Sequence, residues 1–306
     1  IYTLSLHDAL PICGDQAAVD AMRFVLGSVA MDGVVVIGEG EKDEAPMLYN
    51  GEPVGDGSGP GYDIAVDPVD GTTLLANGMP NSIAVIAAAD RGSMYDPHVV
   101  FYMDKLVTGP EAADQVDLGA PVADNIAAVA RAKGVAVADV TVAVLDRPRH
   151  TDLLRQIREA GAGTHLFPDG DVAAAVRVVS PDSDLDLLLG AGGTPEGIIT
   201  ACAIKALGGV IQGRLRPRDD GERRRALDAG HDLDRVLSTD DLVTSDNTFF
   251  VATGITDGEL LRGVHRTRDG GARTQSVVMR SRSGTIRWVE SVHALDKVRS
   301  QLAPGS

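Results

Sequence analysis

A layered α/β architecture is predicted by two observations. Short apolar runs rich in β-branched residues alternate along the chain with stretches of helical period, and 306 residues bury enough apolar surface for one large α/β domain or two closely packed halves without staples. A third observation, 35 glycines beside few aromatics, makes the loops between elements prominent.

The elements follow in order. Asp15 is placed to cap a helix whose residues Val19, Met22, Val25, Leu26 and Val29 share one apolar face. Val34–Ile37, bounded by glycines, suits a strand buried on both faces. An acidic loop, Gly38–Glu44, and a Gly-rich turn, Gly51–Gly61, come next. Asp63–Val66 reads as a strand leading into Asp67–Thr73, and Ile83–Ala88 as another. Further strands are expected at Val99–Val107, Val140–Leu145, Asp184–Leu189 and Phe249–Thr253, with helices at Ala123–Lys133, Thr151–Ala160, Asp171–Val178 and Glu196–Leu207. Ser276–Arg280 and Thr285–Val289 flank the turn residues Ser283-Gly284 in hairpin spacing. The charged run Asp219–Arg225 reads as a solvated helix start.

Composition narrows the function. With 28 Lys+Arg against 44 Asp+Glu the net charge is −16, which disfavours nucleic acid and anionic membrane. An acidic protein acting on an acidic substrate must gather positive charge locally, through metal ions or a few arginines. Two cysteines, Cys13 and Cys202, form neither a zinc spacing nor a disulfide framework, which points to a reducing cytoplasm. No apolar run reaches membrane-spanning length. The seven histidines make no HExxH, and no GxSxG elbow occurs, so zinc and serine hydrolases drop out.

The strongest local signal is Asp67-Pro68-Val69-Asp70-Gly71-Thr72 at a strand end. Two carboxylates there can share a hard cation with a phosphate that the amides behind Gly71-Thr72 receive. The spacing of the two Asp excludes the haloacid-dehalogenase template, and no Walker A loop is present. The competing reading is an Asx-turn in a surface loop. Glu39 and Glu41, with Asp43 and Glu44, concentrate carboxylates after the most apolar strand, either around a cation or simply in solvent. In Gly190-Ala191-Gly192-Gly193-Thr194-Pro195-Glu196 the glycines suit close approach to a sugar phosphate, and Glu196 either reaches a metal or merely complements a helix start. Arg147-Pro148-Arg149 can grip a second phosphate by forked hydrogen bonds or pair with Asp146 and Asp152. Asp169-Gly170-Asp171 opens the next helix, and Cys202 reads as inert core.

Together GDQAAVDAMR, VVVIGEGEKDEAPMLYNGE, DIAVDPVDGTT, FYMDKL, LDRPRH, PDGDVAAA, GGTPEGIITA, FVATGITDGELL and RSGTIR resemble the class II fructose-1,6-bisphosphatases of bacteria, within the lithium-sensitive sugar and inositol phosphatase superfamily. The resemblance runs from about Gly14 to Val298. It implies a layered α/β/α/β/α sugar-phosphatase fold and a phosphomonoesterase that uses Mg2+ or Mn2+, acts on fructose 1,6-bisphosphate and forms a homo-oligomer, dimer or tetramer. It assigns metal positions to Asp15, Glu39, Asp67, Asp70 and Glu196. It assigns substrate contacts to Asp70, Gly71, Thr72, Tyr102, Arg147, Pro148, Arg149, Asp169, Gly170, Asp171 and Gly193, and gives Thr72 and Asp43 the orienting or activating of the attacking water.

By the same resemblance, residues 13–140 carry the metal and phosphate half and 141–306 the sugar-phosphate half, packed as one catalytic unit. Residues 1–12 resemble translated adapter DNA and are expected to be a foreign leader. Pro11 then stands where the family has a catalytic Lys, so weak or absent turnover is expected of this chain. Sedoheptulose 1,7-bisphosphate and inositol monophosphate are the alternative substrates, and a non-catalytic sugar-phosphate binder is the alternative of different class. The paired arginines and the Asp169–Asp171 loop oppose the inositol reading.

Overall fold

The computed structural model describes residues 11–38, 40, 48–97 and 100–302, with side chains from residue 16 to residue 298. In chain order the elements are α1 (Pro11–Leu26), β1 (Asp32–Ile37), β2 (Pro53–Val54), β3 (Gly61–Asp70), α2 (Thr72–Ala76), β4 (Ile83–Asp90), β5 (Tyr102–Thr108), α3 (Val122–Lys133), β6 (Thr141–Leu145), α4 (Thr151–Ala160), β7 (Gly163–Phe167), α5 (Asp171–Val179), β8 (Leu187–Gly193), α6 (Thr194–Leu207), β9 (Val210–Arg216), α7 (Asp220–Asp228), α8 (Thr239–Leu242), β10 (Phe249–Gly254), β11 (His265–Arg266), β12 (Ala272–Arg280), β13 (Thr285–His293) and α9 (Leu295–Leu302).

Two mixed sheets organise them. One runs β11-β12-β10-β4-β3-β1-β2 with β13 on the far side of β12, and the other runs β7-β6-β8-β5-β9. α5 and α6 pack between the sheets, α1 covers the outer face of the first, and α3 and α4 cover the outer face of the second. The α/β/α/β/α layering is therefore the observed architecture. α6 shows why it holds: Ile198, Ile199, Ala201, Cys202, Ala203 and Ile204 are all buried, because a helix between two sheets has no solvent face. Among the described residues no helix is long and apolar enough to cross a membrane.

Some local expectations change. α1 is described from Pro11 onward, so Asp15 lies inside the helix rather than capping it. Val25 and Val29 are exposed, and Ala18, Val19, Met22 and Leu26 carry the packed face. β1 alternates buried with half-buried residues instead of being sealed on both faces, since only the two-residue β2 lies outside it. β8 starts three residues later than expected and runs through Gly190–Gly193, which pair with Lys105, Asp104, Met103 and Tyr102 of β5. β7 carries little apolar period and is read only from the sheet, whereas β9 alternates buried Ile211, Gly213 and Leu215 with Gln212, Arg214 and Arg216, a period that sequence reading passed over.

Candidate active site

β3 delivers the first carboxylates. In a regular strand residues three apart point to opposite faces. Here the pairing with β4 slips by one between Asp67↔Val85 and Asp70↔Ile83, a bulge that takes up Pro68 and Val69. The extra residue restores a common direction, and Asp67 and Asp70 both line one cleft of about 610 Å³. Asp67 Oδ1 also accepts the Val69 amide at 3.0 Å, so the local Asx-turn exists within the site. Gly71, at φ 83°, turns the chain into α2; a Cβ there would lie 2.8 Å from Leu74 Cδ1.

The other carboxylates arrive from the middle layer. Gly192 and Gly193 make room for them: a Cβ on Gly192 would sit 2.1 Å from Asp171 Oδ2, and one on Gly193 1.8 Å from Glu196 Oε2. The glycines of this run thus admit side chains of the site itself. Asp169 bridges two segments, accepting the Thr73 amide at 3.1 Å and Arg147 Nη2 at 3.2 Å. α2 is only five residues long and one of its free amides is taken this way, so its phosphate-binding capacity is smaller than the sequence suggested.

The electrostatics are those of crowded anions. Burial, then Asp67, Asp171, Glu196 and Asp169, push the Asp70 carboxyl well above its usual range. Burial and Asp171 push Glu196 up, with Lys105 opposing. Asp70 Oδ2 and Glu196 Oε2 are sealed from solvent and accept no hydrogen bond among the described residues. Orphaned buried carboxylate oxygens fit a hard divalent cation, which is an oxygen-seeking ligand acceptor. Among the described residues no three metal-binding groups already converge on one point. Glu39, Glu41, Asp43 and Glu44 lie outside those residues, as does the Asp15 side chain.

Positive charge lines the same cleft. Arg147 donates to the carbonyls of Asp146, at 3.0 Å, and Pro168. Arg149 donates to Ala191 O from Nε at 3.1 Å and Nη2 at 2.7 Å, and lies 5.0 Å from the Tyr102 ring centroid. Neither arginine takes Asp152, which pairs with Arg155. Desolvation and the neighbouring Arg147 and Arg216 lower the Arg149 pKa, although Tyr102 opposes this, as expected of a cation whose complement is an anion. Gly170, with Pro195 and Gly193, also lines the cleft; Pro148 opens the turn that carries the arginines.

Two residues of the cleft were missed by sequence reasoning. Arg218 lines it, stacked 5.0 Å from the Phe101 ring and bonded through Nε to Glu222 at 3.0 Å. No local pattern announces it. Lys105 lies buried behind the cleft and donates to Asp171 Oδ2 at 2.7 Å. Its signal was available: in β5 it alternates with Met103 and Val107, so strand period places an ammonium on an apolar face.

The family model described as "Bacterial fructose-1,6-bisphosphatase, glpX-encoded" matches residues 11–293. The chain is 44% identical over 296 residues to fructose-1,6-bisphosphatase 1 class 2 of Escherichia coli K12, covering 92% of this chain and 88% of that protein. The class 2 enzymes of Escherichia coli O6:H1 and Shigella flexneri match to the same extent. A cleft lined by both carboxylates and arginines accompanies a match of this length, and the match shows that the chain belongs to the bacterial class II fructose-1,6-bisphosphatases.

Proposed function

We propose that the chain hydrolyses fructose 1,6-bisphosphate to fructose 6-phosphate and inorganic phosphate, with the 1-phosphate at the carboxylate end of the cleft and the 6-phosphate at the arginine end. Membership of the family carries the phosphomonoesterase activity and a general dependence on divalent metal. The observation that carries the orientation is the pair of orphaned buried oxygens, Asp70 Oδ2 and Glu196 Oε2, in the cleft that Arg147 and Arg149 also line.

Asp67, Asp70 and Glu196, with Asp15 and Glu39 as the resemblance assigns, would hold magnesium or manganese, which supplies Lewis acidity and positive charge beside the reacting phosphate. The remaining work falls to the chain. Arg149, held in place by Ala191 O and the Tyr102 ring, and Arg147, held by Asp169, orient the distal phosphate. Asp169 and Asp171 face the sugar between the two ends and accept its hydroxyls. Thr72, exposed in the cleft beside Asp70, aims the attacking water through its hydroxyl, and Asp43 takes the proton that water gives up. Water oxygen bonds to phosphorus as the bond to the sugar C1 oxygen breaks, and that oxygen takes a proton from bulk water and leaves as a hydroxyl.

A homo-oligomer working in the cytoplasm accompanies this reading. The single described thiol, Cys202, is buried and unpaired, in keeping with a reducing compartment.

The test is phosphate release from fructose 1,6-bisphosphate with magnesium or manganese, alongside sedoheptulose 1,7-bisphosphate and inositol monophosphate. Turnover on the fructose substrate that exceeds turnover on the other two, low in absolute rate with Pro11 in place of the family's Lys and lost on chelation, is expected. Turnover of inositol monophosphate in its place would refute the assigned role of the arginine end.

A further inference from the structure

Among the described residues, one ammonium lies among the carboxylates of the cleft, that of Lys105. Burial and then Asp67, Asp171, Glu196 and Asp169 raise the cost of ionising Asp70, while the arginines lining the cleft are held by Asp169 and by backbone carbonyls. Lys105 is different in kind. It is 3% exposed, bonded to Asp171 Oδ2 at 2.7 Å, and packed under the glycine strand: a Cβ on Gly192 would lie 3.1 Å from its Nζ, and one on Gly197 3.2 Å from its Cε. Gly192 and Gly197 thus leave space for this side chain as Gly192 and Gly193 leave space for the carboxylates. A lysine sealed in a sheet keeps its charge when a carboxylate faces it, and that pairing fixes where Asp171 points.

We infer that Lys105 is a resident cation of the site: it compensates the Asp171 charge beside the metal-holding carboxylates Asp67, Asp70 and Glu196, so that they hold divalent metal less tightly than the uncompensated cluster would. The inference rests on the metal-binding reading given above and deepens it. Lys105 is a positioning residue, acting through Asp171 and through its charge, with no contact to the reacting atoms.

The two partners then have opposite effects on metal. In Lys105→Met the Asp171 carboxylate is left uncompensated, and the cluster gains attraction for a divalent ion. In Asp171→Asn the ammonium loses its partner, and the cluster repels that ion. The double variant returns the local charge to its starting value. General damage to the site would weaken binding in all three, so the sign separates the two explanations.

The experiment is calorimetric titration of manganese into the metal-free full chain and the three variants, each checked for cooperative melting. Expected are binding about tenfold tighter, or one additional manganese ion, in Lys105→Met, binding about tenfold weaker in Asp171→Asn, and near wild-type binding in the double variant. Should Lys105→Met not melt cooperatively, Asp171→Asn and Lys105→Arg decide: weaker binding in the first with unchanged binding in the second supports the role. Unchanged or weaker binding in a folded Lys105→Met overturns it while leaving the enzyme assignment intact. A wild-type chain that binds no manganese yet releases phosphate overturns both this inference and the assignment of the carboxylates as metal ligands.

Discussion

His150 and Ala191 hold each other in one arrangement: the Ala191 amide donates to His150 Nε2 at 2.8 Å, so that nitrogen is bare, the proton sits on Nδ1, and Nδ1 donates to Leu145 O at 2.6 Å. Arg149, one residue earlier, donates twice to the carbonyl of the same Ala191. Adjacent residues therefore clamp both backbone polar groups of one residue of β8, and the arginine turn is tied to the sheet.

Replacing that ring by an apolar one strands two buried backbone groups. His150→Phe should lose about 2 kcal/mol of stability or more, at roughly 1–3 kcal/mol for each buried group left unpaired. Denaturant unfolding measures it, and a parallel rise in KM for the bisphosphate reports the loosened Arg149.

The same ring gives a pH dependence of known sign. Burial lowers the His150 pKa, with Arg149 and Arg216 adding to the effect and the Leu145 carbonyl and Asp104 opposing it. A folded value below the unfolded one, about 6.5, means that the unfolded chain binds more protons near neutrality. The contribution is complete above that value and lost as pH falls toward the depressed one. The stability gap between wild type and His150→Phe should accordingly narrow on acidification, as urea midpoints across the acid range will show.

The carboxylate cluster has the opposite sign. Asp70 and Glu196 are raised in the fold, so their contribution is complete below about pH 4, where both are protonated in either state, and lost as pH climbs through the raised values. Chelated protein should lose this part of its stability with rising pH, and magnesium or manganese should restore it. The increment in Tm on adding metal should grow with pH, and in Asp70→Asn it should shrink at every pH.

Asp169 links Thr73 of α2 to Arg147. Asp169→Ala removes a carboxylate acceptor from both at once, and each charge-assisted hydrogen bond contributes about 1.5–3 kcal/mol. A fall in kcat/KM of roughly 10- to 100-fold is expected in steady-state kinetics, an increment of about 1.4–2.8 kcal/mol. A loss confined to thermal stability would assign Asp169 to the fold alone.

Cys202 should be chemically silent. Burial pushes its thiol up to about 12, so almost no thiolate exists at neutral pH. In a Cys13→Ser background, thiol reagents should label the native protein negligibly and the denatured protein fully.

Much of this protein is legible locally. The helices Thr151–Ala160 and Ala123–Lys133, the strands Ile83–Ala88 and Phe249–Thr253, and the hairpin at Ser283-Gly284 follow from period and turn chemistry, because each is specified by residues within one element. The motif Asp67–Thr72 was visible for the same reason, as were the arginines beside Pro148 and the glycines before Glu196. β7 was not visible, since its residues become a strand only by pairing with β6.

The sequence by itself determined the fold class, the acidic balance with a few arginines, and the carboxylate motifs that line the cleft. Tertiary structure alone decided how those carboxylates meet. The bulge that turns Asp67 and Asp70 to the same cleft is a property of pairing with β4, and the crowding that raises Asp70 comes from Asp171 and Glu196 on another layer. Lys105 became part of the site only when β5 was laid against β8 beneath Gly192. The reason is physical: propensity and period act within a few residues, whereas desolvation and charge act through space between residues far apart in the chain.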